Sequence, residues 1–155
     1  MAQAATGVYT LNRNSAVQNF RTITPVFPAI TPGTTDIEVA TNQTLTLAPG
    51  SYRKITVRTK GTLILSGGLY QVSSLDIRQE ANILFLAASE VRVKNEMDTD
   101  AKTFIGPDAS MPALQASQLI FYVEGGDDGD GGDENLASTA VQIGERVELT
   151  LKSAF

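Results

Sequence analysis

The chain lacks cysteine, histidine and tryptophan altogether, and these absences remove several kinds of chemistry. Without cysteine there can be no disulfide, thiolate nucleophile, zinc finger or iron–sulfur cluster. Without histidine there is no Ser-His-Asp triad and no imidazole to act as general base near neutral pH. Any acid–base or metal chemistry must therefore rely on carboxylates.

Long hydrophobic runs are also missing. The longest apolar run, Leu119–Val123, is far shorter than the roughly 18 residues that a membrane span needs, so we predict no such span. The first residues, Met1–Gly7, contain neither a basic region nor an apolar stretch, and they therefore predict no signal peptide.

Charge is distributed unevenly along the chain. Six of the 17 acidic residues lie between Glu124 and Glu134, where there is no lysine or arginine. Residues 39–75 contain no acidic residue, and their basic side chains predict a local basic patch made of Arg53, Lys54, Arg58 and Lys60. Since these four are not interleaved with aromatic residues and the sequence pI is about 4.6, we expect no nucleic-acid partner.

A repeat of 18 to 20 residues organises the middle of the chain. The segment 45–52, LTLAPGSY, reappears as 63–70, LILSGGLY, and each copy is followed by a second short apolar alternation. A third copy consists of Ile83–Phe85 followed by Val91–Val93. Repeats of this size, each with two or three short strands, are typical of one coil of a β-solenoid. We predict an all-β parallel β-helix; the alternative is a left-handed hexapeptide helix, suggested by apolar residues six apart from Val57 to Val93.

Alternation with a period of two assigns side chains to the inside or outside of this helix. Leu63 and Leu65 are predicted to point inward, whereas Thr46, Thr56 and Asp76 are predicted to meet solvent. Pro49-Gly50 and Gly67-Gly68 follow a strand at equivalent places, where we expect corners with a positive φ angle. Tyr52 and Tyr70 follow these corners and are expected to stack on each other, with a ligand platform as the alternative role.

Other segments differ in composition and define the predicted organisation. Residues 1–35 are expected to form an irregular N-terminal cap or arm, and residues 36–155 the solenoid. Within the solenoid we expect an insertion at 95–118, which contains two prolines, and an acidic glycine-rich loop at 124–135. The strand at 147–151 ends the printed sequence, and its inward Leu149 and Leu151 are expected to need cover from a partner or from further chain.

The rung pattern, carried by residues 47–52, 61–70 and 74–77, resembles the β-helical domains of bacterial surface and pilus-associated proteins and, more loosely, the polymer-forming bactofilins. The resemblance implies a right-handed β-helix with a non-catalytic scaffold role at the cell surface or outside the cell.

The acidic loop is the most distinctive candidate site. Carboxylates separated by glycines are what a calcium loop needs, because the ion takes six to eight oxygen ligands and glycine lets the chain wrap around it. Asp128, Asp130, Asp133 and Glu134 are the candidate ligands. A solvated loop without metal is the alternative, and it is the more common fate of such acidic runs.

Two functions remain open from the sequence. The first is a structural or assembly module, in which Arg53, Lys54, Arg58 and Lys60, with Leu149 and Leu151 at the C-terminal edge, mediate self-association or contact with a neighbouring protein. The second is a module that binds a glycan or other polymer along a flat face, with Tyr52, Tyr70, Gln71 and Asn82 as contacts. A polysaccharide-active enzyme is less favoured, because Asp76 with Arg78 and Glu90 with Arg92 are typical of surface ion pairs.

Overall fold

A computed structural model describes residues 28–125, 140–149 and 152–154; for the last of these it describes only the backbone. Strands dominate, and they pair in parallel throughout. The strands are β1 (Ile37–Val39), β2 (Thr44–Leu47), β3 (Gly50–Ser51), β4 (Lys54–Val57), β5 (Thr62–Leu65), β6 (Gly68–Ile77), β7 (Asn82–Phe85), β8 (Ser89–Thr99), β9 (Phe104–Pro107), β10 (Leu119–Val123), β11 (Val141–Ile143), β12 (Glu148–Leu149) and β13 (Lys152–Ala154). A single 3₁₀ turn, Ala116–Gln118, is the helical element of the described residues.

These strands wind into a β-solenoid of about 3 turns, which confirms the predicted fold class. One five-stranded sheet runs in the order β12-β9-β7-β5-β2, and an eight-stranded sheet follows β1-β4-β6-β8-β10-β13, with β3 and β11 beside β6 and β8. The long strands β6 and β8 bend at an irregularity after Val72, so each covers two sides of the coil. The coil therefore has three sides.

The coil lengthens along the chain. In the five-stranded sheet Leu45 aligns with Leu63, 18 residues on, then with Ile83 after 20 and with Ile105 after 22. Because aligned residues of neighbouring strands point to the same face of the sheet, the inward positions stay inside as the coil lengthens. The hexapeptide alternative fails, since it needs a constant coil and an inward Leu69, whereas Leu69 is 37% exposed.

One corner keeps a constant length of four residues. Its third residue has a left-handed φ of 58–60° in every coil, although none is glycine: the positions are Asn42, Lys60, Glu80, Lys102 and Arg146. At Lys60 the turn closes with Gly61 N–H donating to the Arg58 carbonyl, as in a type II turn. Gly67 and Gly68 have the predicted positive φ at the other corner, but Gly50 does not.

The apolar core fills the interior of the coils. Leu63, Leu65, Ile83 and Phe85 are at most 3% exposed, as the alternation predicts. Phe85 meets Phe121 edge to face, with ring centroids 6.0 Å apart. Aligned aliphatic side chains on successive coils thus stack into continuous interior columns.

One predicted strand alignment and one predicted segment boundary are wrong. Val91 was expected to continue the column of Leu75, but it aligns with Tyr70, and Met97 aligns with Leu75. The cause is that Val91 lies in the first half of β8, which pairs with the first half of β6, whereas Leu75 lies in the second half. The longer corner before β8 and the extra residue at its bend add only one residue each to the coil. The expected insertion at 95–118 is likewise strand over residues 95–99 and 104–107, so the excursion from the solenoid is only residues 108–118.

The described part of the N-terminal arm is irregular and crosses the coils. Ala29 accepts a hydrogen bond from Arg92 Nη1 at 3.2 Å, and Thr31 N–H donates to Gln71 Oε1 at 2.9 Å. Gly33 N–H then donates to the Tyr52 carbonyl at 3.1 Å. The arm therefore runs from the third coil to the first across the outside of β8 and β6.

Candidate functional site

The four basic residues expected to form a patch are each placed beside a carboxylate of a neighbouring coil. The pairs are Arg53–Asp36, Arg58–Glu38 at 3.1 Å, Lys54–Asp76 at 3.9 Å and Lys60–Glu80 at 3.7 Å. All four carboxylates come from residues just outside the acid-free window 39–75, because stacking joins positions 17 to 22 residues apart. The basic patch is thus a row of ion pairs.

The main effect of the arginine pairs is to lower the pKa of their carboxylates. A hydrogen bond from the Arg53 guanidinium holds the pKa of Asp36 below its ordinary value, and Arg58 does the same for Glu38. Because the paired side chains are about half exposed, water and salt screen them, and such pairs contribute little to stability.

Asp76 lies at the centre of a more buried charge cluster on the eight-stranded sheet. It was predicted to meet solvent but is only 8% exposed, since Arg78 at 2.7 Å and Lys54 cover its Oδ2. Asp98 aligns with Asp76 on the next coil. Burial first, and then the charges of Asp76 and Asp100, raise the pKa of Asp98. The cluster is a charged strip on a sheet face.

The residues considered for catalysis do not converge on a cleft. Asp76–Arg78 and Glu90–Arg92 are each ion pairs between residues two apart on one strand, at 2.7 and 2.6 Å. Glu90 aligns with Leu69 and not with Asp76, so the two pairs lie on different sides of the coil.

Tyr52 and Tyr70 do not occupy equivalent places. Tyr70 is fully buried, aligns with Gly50, and donates its hydroxyl to the Leu47 carbonyl at 3.0 Å. Tyr52 is half-buried, and its hydroxyl donates to the Ala48 carbonyl at 2.8 Å. Burial, followed by the nearby Tyr70, raises the pKa of Tyr52. Tyr70 cannot contact a ligand, and the register replaces the expected tyrosine stack with Tyr70 against Gly50.

Of the remaining predicted assembly and metal-site residues, the structure describes only Leu149. Leu149 is half-buried in β12 and packs against the core. Leu151 and the candidate calcium ligands Asp128, Asp130, Asp133 and Glu134 lie outside the described residues. Among residues 28–125 and 140–149, no cluster of three or more acidic side chains is arranged to hold a metal ion.

Sequence reasoning missed that four adjacent strands of the five-stranded sheet carry no charge; the fifth strand, β12, places the exposed Glu148 beside Phe104. The strands β2, β5, β7 and β9 contain no charged residue, in contrast to β1, β4, β6 and β8. Beside them, an open depression of about 470 Å³ lies between Leu86–Ala88 and Ser110–Leu114. The absence of charged residues from these four segments is visible in the sequence, but only the stacking of the coils shows that the four strands lie side by side.

No protein-family model, curated protein or solved structure matches this chain. The described residues include no helix long and apolar enough to span a membrane.

Proposed function

We propose that this chain is a non-catalytic structural module that assembles by stacking the end coil of one copy on the first coil of another. The resemblance of its rungs to bacterial surface and pilus-associated β-helices favours a surface or appendage as the place of assembly. The proposal depends on the edges of the solenoid and not on its charges, because the basic residues are already paired within the chain.

The observation that carries the proposal is the repeated corner. In each coil the N–H of the left-handed residue donates to a carbonyl of the next coil, from Asn42 to Thr59 and so on to Lys102 and Glu145. In the part of the chain that the structure describes, this ladder ends at Arg146, whose φ of 58° matches the 59° of Asn42. A second copy can therefore continue the ladder without a change of conformation.

The first coil also presents strand edges. Among the described strands, β1 and β2 lie at the ends of their sheets. The carbonyls of Gln43 and Leu47 accept hydrogen bonds from N–H groups of the next coil, so the N–H of Thr46 points the other way, toward the side of β2 where the described residues place no strand. Edge strands of this kind pair readily with another chain.

Thr46→Pro tests the proposal, since proline removes the outward N–H and leaves the bonds between β2 and β5 in place. Sedimentation velocity over a concentration series should show oligomers for the wild type and for Thr46→Val, which keeps the N–H, and monomers for Thr46→Pro. A wild type that stays monomeric at high micromolar concentration contradicts the proposal, as does a folded proline variant that assembles normally.

A further inference from the structure

The two carboxylate oxygens of Asp76 differ in their hydrogen bonding. The Oδ2 atom accepts a hydrogen bond from Arg78 Nη2 at 2.7 Å and lies 3.9 Å from Lys54 Nζ. The Oδ1 atom is buried and accepts no hydrogen bond from any residue that the structure describes. Because a buried carboxylate oxygen without a donor is unfavourable, the surroundings of Asp76 Oδ1 call for a donor.

Two aligned side chains flank Asp76 on the outer face of the eight-stranded sheet. Thr56 of β4 lies on one side and Asp98 of β8 on the other. The Thr56 hydroxyl does not donate to Asp76 Oδ1. Neighbouring strands are about 4.8 Å apart and aligned residues point to the same side, so the carboxyl groups of Asp76 and Asp98 can reach each other. When two carboxyl groups share a site in this way, one of them tends to keep its proton.

The other charges around Asp98 do not reverse this tendency. Burial raises the pKa of Asp98 most, the two neighbouring aspartates raise it further, and the nearby arginine and lysine lower it. On the opposite side, β11 aligns the uncharged Gln142 with Asp98. The charged side chains that face Asp98 come from β4, β6 and β8 itself, and they are Lys54, Asp76, Arg78, Glu96 and Asp100.

We propose that Asp98 and Asp76 share one proton, which Asp98 carries and donates to Asp76 Oδ1. This hydrogen bond supplies the missing donor and joins the second half of β8 to the second half of β6. Among the described residues these carboxylates are not grouped as a metal site, so the bridge is a proton. The bond lies within one chain and does not depend on the stacking of copies.

The shared proton makes this junction between coils sensitive to pH. A raised native pKa means that the folded chain holds the proton more tightly than the unfolded chain. The bridge therefore stabilises fully below the ordinary aspartate pKa, and its contribution is lost as pH rises through the higher native pKa. Above that pH two carboxylates face each other, and β8 with its neighbour β11 is held less firmly to β6.

Nuclear magnetic resonance titration of the aspartate carboxyl carbons in EDTA, from about pH 2.5 to about pH 8, tests the shared proton. Asp98 should titrate above its ordinary value, and Asp76→Asn should lower its pKa by at least about one, a tenfold loss of proton affinity. Asp100→Asn is the matched control, because it removes the same charge from a neighbour that is not aligned with Asp98, and it should lower the pKa less. The proposal is overturned if Asp98 titrates at or below its ordinary value in the wild type, or if Asp76→Asn lowers its pKa no more than Asp100→Asn does.

Amide hydrogen exchange measures the effect on the junction. Asp100 N–H donates to the Ile77 carbonyl at 2.8 Å beside the aspartate pair, and Phe104 N–H donates to the Ala81 carbonyl at 3.2 Å on the other sheet. After correction for intrinsic rates, protection at Asp100 should fall as pH rises through the pKa of Asp98, by about tenfold if the native pKa is one above the ordinary value, and Phe104 should change less. Asp98→Asn keeps a donor at every pH and should abolish the fall. A wild type without the fall, or a fall that persists in Asp98→Asn, contradicts the proposal.

Discussion

Leu65→Ala should destabilise the solenoid more than the same substitution at Leu47, although both side chains point inward in one column. Leu65 is 3% exposed and lies between Leu47 on one coil and Phe85 on the next. Leu47 is 7% exposed and belongs to β2, which has a described strand neighbour on one side only. The pair therefore compares an interior coil with a terminal one.

The expected difference follows from transfer and cavity terms. Truncating leucine to alanine removes about three methylene groups, which corresponds to roughly 2.4 kcal/mol of lost burial. A cavity closed on all sides adds to this and brings such substitutions to about 2–5 kcal/mol. We expect about 4 kcal/mol for Leu65→Ala and about 2.5 kcal/mol for Leu47→Ala, because a cavity at the terminal coil can collapse or admit water.

Urea denaturation followed by far-ultraviolet circular dichroism measures both values at one low protein concentration. Comparable slopes of the free energy of unfolding against urea are required for the comparison. Equal losses, or a larger loss for Leu47→Ala, would refute the assignment of β2 to a terminal coil. If copies stack through the first coil, the Leu47→Ala loss should also grow with protein concentration, whereas the Leu65→Ala loss should change less.

Three further outcomes are expected from melts and denaturation. Tyr70→Phe should cost about 1 kcal/mol, because a buried hydrogen bond to the Leu47 carbonyl is lost; no cost would mean that the hydroxyl reaches water. Asp98→Asn should raise the melting temperature at pH 7: a raised native pKa means that the folded state binds the proton more tightly, so the wild type loses stability as pH rises through that pKa. The gain should vanish near about pH 3, below the ordinary carboxyl range. Arg146→Asn should stabilise by up to about 1 kcal/mol, since asparagine tolerates left-handed φ; an equal gain in Arg146→Ala would contradict that reason.

The distribution of charge on the surface could not be predicted from the sequence, because it depends on which coils lie next to each other. The absence of charge in β2, β5, β7 and β9 is a property of the printed residues, but their union into one face requires the alignment of four separate segments. Likewise, the acid-free window around Arg53 to Lys60 looks basic along the chain and is neutral in space.

The sequence by itself determined the fold class and the inward residues of the first coils. Alternation with a period of two is a local property of the strand backbone, and the repeat from Leu45 to Leu63 to Ile83 keeps a recognisable spacing. Local pattern was sufficient there because each side chain's face depends only on its neighbours in the same strand.

The tertiary structure alone decided register, corner conformation and charge partners. Register depends on which half of a long strand meets which, and Val91, in the first half of β8, aligns with Tyr70 and not with Leu75. The pairing of β3 with β6 independently sets that tyrosine against Gly50, where it is buried. Lys60 and Glu80 adopt left-handed corners that their residue types disfavour, because the stacked strands on both sides fix where the chain must turn. These features depend on contacts between residues about 20 positions apart in the sequence. A local sequence pattern does not contain that information.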